Sequence, residues 1–163
     1  MKAILISIKP KWVAKILNGE KTLELRKTMP KCELPVDVYI YCTKDKPYLA
    51  NATELFTGKY SCISNDDVSY KEYNLNGKVV AKFTLNKVEM ITYDSTYKLF
   101  RLNDVLQNSC LKEEELNSYL KGKVGYAWHI DDLMIFDKPR PLQPYFDLDK
   151  APQSWRYIEE TSV

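Results

Sequence analysis

Lys21, Glu24 and Arg26 are three polar side chains that one short strand and the turn before it can bring together. A lysine beside a carboxylate can move a proton or anchor a phosphate, and an arginine two residues further on can fix that carboxylate through directional hydrogen bonds. If Lys21 to Lys27 is extended, Leu23 and Leu25 point one way while Thr22, Glu24 and Arg26 share the other face at about 7 Å spacing, with Lys21 swinging over that face from the turn. Such a set suits activation of a water, with Glu24 as the base, better than covalent catalysis. The plainer alternative is a surface ion pair of Glu24 and Arg26 worth under about 1 kcal/mol, beside a solvated turn lysine. Partial burial of the cleft would instead shift the lysine pKa in either direction and let Lys21 act as acid, base or phosphate anchor.

The elements that must position these groups can be read from periodicity. Ala3 to Ile8 is an almost unbroken apolar run of strand length, as in a strand covered on both faces. Pro10 then suits a first helical position, Trp12, Val13, Ile16 and Leu17 recur at helical spacing, and Asn18-Gly19 supplies a left-handed stop. Strands are expected over residues 1–8, 22–27, 35–42, 78–88, 124–130 and 132–137, in one curved sheet or barrel, with helices near 10–18 and 112–121. Glu113, Glu114 and Glu115 in the first turn and Gly122 after the last support the second helix, and Asn76-Gly77 is a turn signal. Pro47, Asn51, Gly58, Asn65 and Asp66-Asp67 break the pattern between them, so residues 44–76 read as a long excursion that folds over the cleft rather than a second domain. The 163 residues make one domain, and 45% apolar with 12% aromatic content is ample for its core.

Charge is distributed unevenly. Residues 1–31 hold eight basic residues, including Lys9, Lys21 and Arg26, against two acids, while the remainder is net acidic, so the total of +2 conceals a cationic N-terminal segment. Clustered cations favour phosphate through counterion release. No apolar stretch reaches the length of a membrane span and the N-terminus lacks a cleavage signal, which together read as a cytosolic protein with no membrane partner. Cys32, Cys42, Cys62 and Cys110 form no C-x-x-C and do not pair with His129, the only histidine, at a zinc spacing, so neither a metal nor a cofactor is expected. Cys42 reads as a small apolar residue on the inward face of its strand, and Cys32 has one adjacent cation, Lys31. Gly-rich phosphate loops, G-x-S-x-G elbows and H-E-x-x-H motifs are all missing from the sequence.

The string Gly19-Glu20-Lys21-Thr22-Leu23-Glu24-Leu25-Arg26, after a strand ending Ser-Ile-Lys-Pro and a helix, resembles the G-x-K-x-x-E-x-R signature of ASCH domains in the PUA-like superfamily. Leu75 to Val80, Gly125 to Ile130, Asp137-Lys138-Pro139 and Pro152 to Trp155 are similar to the phage and bacterial version, so the resemblance spans nearly the whole chain. It implies an α+β fold, a PUA-like small β-barrel with flanking helices, a cleft lined by the signature, and an association with RNA. A fold does not by itself assign a reaction.

Three functions stay open. In the first, the cleft binds single-stranded RNA or a nucleotide through Lys9, Lys21, Glu24, Arg26 and an aromatic among Tyr39, Tyr41, Trp128 and Trp155. Trp155, after a Pro-rich segment, either seals the cleft wall or stacks on a base, whereas Trp128 and His129 read as packed strand residues. In the second, the protein is a hydrolase on RNA or a modified nucleoside, with Lys21 and Glu24 catalytic. Related N4-acetylcytidine amidohydrolases have the form G-x-K-T-x-T-x-R, and here Glu24 stands where their threonine nucleophile would be, so such activity is expected to be weak or absent. In the third, the domain is a protein-binding phage accessory module with a vestigial cleft. The oligomeric state is not legible.

Overall fold

In the computed structural model, residues 1–50, 60–63 and 74–160 are described; they form β1 (Lys2–Ile8), α1 (Pro10–Leu17), β2 (Leu23–Arg26), β3 (Val36–Cys42), β4 (Tyr48–Ala50), β5 (Ser61–Ile63), β6 (Lys78–Leu85), β7 (Val88–Ile91), α2 (Ser95–Phe100), α3 (Leu102–Ser109), α4 (Glu113–Leu120), β8 (Gly125–His129), β9 (Asp131–Arg140) and β10 (Trp155–Glu159). The fold is mixed α+β. The strands make a five-stranded sheet in the order β10-β1-β3-β6-β9, a three-stranded sheet β2-β8-β7 and a two-stranded ribbon β4-β5. β1 and β3 run parallel, with Ile4 opposite Val38, and the other ladders are antiparallel.

The single strand expected over 78–88 is two strands. Asn86 and Lys87 are exposed, and there the chain leaves the five-stranded sheet for the three-stranded one. It crosses back at Ile130, between β8 and β9. The ladders among the described residues end at β10 and β9 in one sheet and at β2 and β7 in the other, so they do not close into the barrel that the resemblance implies. Side chains bridge the two sheets instead: Trp128 of β8, fully buried, packs with Ile4, Ile6 and Phe83 of the larger sheet.

The apolar run of β1 is explained by cover on both sides. Ile4, Ile6 and Ile8 pack with Val13, Ile16 and Leu17 of α1, while Ala3 and Leu5 pack on the opposite face with Tyr39, Tyr41 and Ile158 under Phe136, Leu142 and Phe146. Each such aliphatic side chain contributes about 1.5–3 kcal/mol on burial. A further core joins Leu23 and Leu25 of β2 to Val105 of α3 and to Leu116 and Leu120 of α4. Gly125 allows α4 to approach β8, since a Cβ there would lie 2.6 Å from Leu120 Cδ2. The helices α2 and α3 and strand β10 were not anticipated from periodicity. Much of the 44–76 excursion, including its expected position over the cleft, lies outside the described residues. Its near parts are fastened by amide side chains. Asn18 exchanges two hydrogen bonds with the Tyr60 backbone (2.9 and 2.8 Å), and Asn76 accepts from Leu49 N (2.8 Å) and donates to Asp45 O (2.9 Å).

Candidate functional site

Gly19 ends α1 in the left-handed region (φ 78°), and the chain then folds back so that Glu20 N and Lys21 N both donate to Lys15 O (2.9 and 3.1 Å). This turn meets the C-terminus of α3: Thr22 N donates to Asn108 O (2.8 Å) and the Lys21 ammonium donates to Ser109 O (2.9 Å). The lysine therefore sits where helix carbonyls present partial negative charge. Only 4% of Lys21 is exposed, and burial pulls its pKa below the ordinary lysine value, opposed by the negative charge of Glu24.

In β2 the apolar side chains of Leu23 and Leu25 enter the core with α3 and α4, so Glu24 and Arg26 share the other face. Glu24 is buried at 7% exposure. Its Oε1 accepts from Arg26 Nε at 3.2 Å and its Oε2 lies 3.6 Å from Lys21 Nζ. Among the described residues Oε2 has no hydrogen-bond partner, although it is fully buried by protein. Each of the three Arg26 nitrogens donates a hydrogen bond: besides Nε to Glu24, Nη2 donates to Ser7 O (2.7 Å) and Nη1 to Ser154 Oγ (3.1 Å). Ser7 in turn donates from N to Ser154 O (2.9 Å) and from Oγ to Pro152 O (2.6 Å), so the guanidinium ties β2 to β1 and to the segment before β10.

These groups face a cavity of about 410 Å³. Lys9, Lys21, Glu24 and Arg26 all line it. Trp155 does not. Its ring packs edge-on against Trp128 and Tyr157, both at 5.4 Å, and its Nε1 donates to Thr28 Oγ1 (3.0 Å), so its contacts are with the protein rather than with the cavity. Tyr39 and Tyr41 are buried in the opposite-face core, and Trp128 is buried between the sheets. The aromatic groups of the cleft are instead Trp12 of α1 and Tyr119 of α4, joined by Leu111 and Glu115. A signal for the α4 wall was present in the sequence: Glu115 and Tyr119 are four residues apart on α4, off the face that buries Leu116 and Leu120. Trp12 was hidden because it reads as part of the apolar stripe of α1.

Elsewhere, Cys42 is fully buried and its thiol is pushed up to about 12 by that burial. His129 Nε2 lies 3.5 Å from Glu89 Oε1, and Arg101 holds the same carboxylate with bonds of 2.7 and 3.0 Å, which keeps the Glu89 carboxyl below its ordinary range. This cluster lies on the helix-covered face of β7 and β8, away from the cleft. Among the described residues no three His, Cys, Asp or Glu side chains converge as metal ligands, and no helix is long and apolar enough to cross a membrane.

An α+β domain of two abutting sheets, with a polar cleft where β2 meets α1 and α4, is the class that this geometry defines. Its architecture is that of ASCH domains. The chain superposes on the crystal structure of ASCH from Zymomonas mobilis with a TM-score of 0.64 at 17% identity, over 96% of this chain and 87% of that one. Two point mutants of the same Zymomonas mobilis protein give TM-scores of 0.65 at 16% and 17% identity, covering 96% and 98% of this chain and 88% and 91% of theirs. At such identity the likeness is one of fold. No family model matches the sequence, and no curated protein matches it.

Proposed function

We propose that the cleft binds an unpaired base of single-stranded RNA, or a nucleotide, between its aromatic walls and the Lys21–Glu24 pair. The observation that carries this reading is the cavity of about 410 Å³, whose lining brings the Lys21–Glu24 ion pair together with Trp12 and Tyr119. An acceptor next to a donor is the complement of the hydrogen-bonding edge of a base, and that edge is free only when the base is unpaired. Trp12 and Tyr119 supply the rings on which a base stacks. The RNA association implied by the ASCH resemblance agrees with this, and a cavity of about 410 Å³ that remains open favours a working cleft over a vestigial, protein-binding one.

Binding of single-stranded RNA and of ribonucleosides to wild type, Glu24→Gln and Trp12→Ala tests the reading, with circular dichroism to establish that each variant is folded. Loss of a charge-assisted bond of about 1.5–3 kcal/mol should weaken binding roughly 10- to 100-fold in Glu24→Gln. Removal of a stacking ring should weaken it by about 1–3 kcal/mol in Trp12→Ala. Folded variants that bind as tightly as wild type would refute it. The hydrolase reading is favoured by one feature: Glu24 is clamped by Arg26 with a lysine of lowered pKa beside it, an arrangement in which Glu24 activates water and Lys21 supplies a proton to a leaving group.

A further inference from the structure

We propose that the cleft takes a base that belongs to a continuous strand, whose flanking phosphates sit on Lys9, Lys11 and Lys27 at the rim. The inference rests on the base-binding reading above and assigns the residues that distinguish a strand from a free nucleoside.

The first step is where phosphate cannot sit. The cations of the cleft floor are Lys21 and Arg26, and both are already engaged, the first by Ser109 O and Glu24, the second by Glu24, Ser7 and Ser154. Glu24, Glu115 and Asp45 line the same cavity, so a phosphate on the floor would meet carboxylates without gaining a free cation. A neutral base suits that floor.

The second step is where phosphate can sit. Lys11 Nζ lies over the Trp12 ring, 4.6 Å from its centroid, with Lys21 Nζ at 5.3 Å from the same ring, and Lys27 Nζ lies over the Tyr119 ring at 4.9 Å; a base that stacks on either ring displaces the exposed ammonium of Lys11 or Lys27 to the rim. Lys9 is exposed and lines the cavity itself. Among the described residues none of these three lysines makes an ion pair, whereas Lys15, Lys21 and Lys82 are paired with Glu20, Glu24 and Asp37. Around the cleft, the floor cations Lys21 and Arg26 are therefore compensated by Glu24, and Lys9, Lys11 and Lys27 are not compensated by an ion pair among the described residues. A base stacked on Trp12 or Tyr119 directs its sugar and phosphates away from the ring that holds it, towards the side chains beside that ring. Lysines suit this position because each acts as a mobile point charge on a phosphate and reads no sequence.

The test compares a short single-stranded RNA of mixed sequence with the four ribonucleosides, each titrated across a range of KCl concentrations. Three phosphate contacts on a single strand predict a slope of log affinity against log salt of about −2, and nucleosides predict a slope near zero. Lys9→Gln, Lys11→Gln and Lys27→Gln together should flatten the RNA slope towards zero. A charge-matched control, Lys98→Gln with Lys138→Gln and Lys150→Gln, removes three exposed lysines that do not line the cleft and should keep the wild-type slope. An unchanged slope in the rim variant, an equal loss in the control, or nucleosides with the same salt dependence as RNA would overturn this proposal and leave base binding standing. Binding of neither probe at low salt would overturn the base-binding reading and this proposal with it.

Discussion

Glu24→Gln is the most informative single change, because it preserves the shape of the side chain and removes the charge that faces Lys21. In the native protein the ammonium is 4% exposed, with one carbonyl bond at 2.9 Å and the carboxylate at 3.6 Å. Removing one member of a buried pair typically costs 3–5 kcal/mol; since Ser109 O still holds the ammonium, the expected loss is at the lower end, about 3 kcal/mol at neutral pH. Its pH dependence has a definite sign. Burial lowers the Lys21 pKa and Glu24 opposes that effect, so the variant's lysine must titrate lower still. Below that folded pKa the charged lysine is fully penalised. Between it and the unfolded value of 10.5 the unfolded chain binds more protons than the native one, and stability recovers with rising pH at up to about 1.4 kcal/mol per pH unit. The wild-type window opens at a higher pH, so the deficit of the variant should shrink as pH rises through the range below 10.5. Urea unfolding of both proteins across that range measures it, and taking their difference cancels the titrations they share, Tyr119 excepted, whose pKa the Glu24 charge helps to raise. A deficit under about 1 kcal/mol, the scale of an exposed pair, or one that does not change with pH, would show that Lys21 and Glu24 are not electrostatically coupled.

Incubated with N4-acetylcytidine, the wild type should release little or no cytidine, because the resemblance to the amidohydrolases puts Glu24 where they carry a threonine nucleophile; robust turnover that survives Glu24→Gln would show that the chemistry lies elsewhere. Quenching of tryptophan fluorescence by bound RNA should disappear in Trp12→Phe and persist in Trp155→Phe, since only the former ring lines the cavity. Alkylation at about pH 8 should leave Cys42 unmodified in the folded protein, where its thiol is fully buried and pushed up to about 12, and label it only on unfolding.

Much of the frame was legible because its elements obey one period at a time. β1, β2, β3, α1 and α4 lie within two residues of the expected bounds, each marked by an unbroken or alternating run and by a stop signal such as Gly19 or Gly122. The elements that escaped have weaker local marks. α2 and α3 divide one helical stretch at Arg101, whose φ of −123° breaks the turn, and α2 buries none of its residues, so it has no apolar stripe to detect. In β10 only Ile158 is buried. The site divides in the same way. Spacing placed Lys21, Glu24 and Arg26 in one cleft, but the groups that hold them are backbone or hydroxyl acceptors remote in sequence, Ser109 O for the lysine and Ser7 O with Ser154 Oγ for the arginine. A carbonyl has no side-chain signature, so a sequence shows which cations are present without showing which are already occupied. That is why Arg26, read as a ligand contact, also holds three protein acceptors, and why Lys11 and Lys27, counted only in the cationic cluster, differ from Lys21 in making no ion pair among the described residues.

The departure at position 24 has an electrostatic meaning beyond the loss of a hydroxyl. A threonine there would leave Lys21 and Arg26 as two largely buried cations on one cleft floor with backbone and hydroxyl partners alone, each raising the cost of charging the other, as Arg26 already does to Lys21. Such a floor lowers the lysine pKa and suits an amine that must give up its proton to activate a nucleophile. With Glu24 in place the same floor holds two cations around one carboxylate, and the lysine is drawn back towards its charged form. In a reaction here the carboxylate can serve as the base, and in simple binding the pair presents a donor beside an acceptor. Glu24→Thr separates these alternatives. If the cleft only binds, the substitution should weaken base recognition and yield no hydrolysis, whereas appearance of N4-acetylcytidine turnover in that variant, absent from wild type, would mean that one residue has converted a hydrolytic cleft into a binding one.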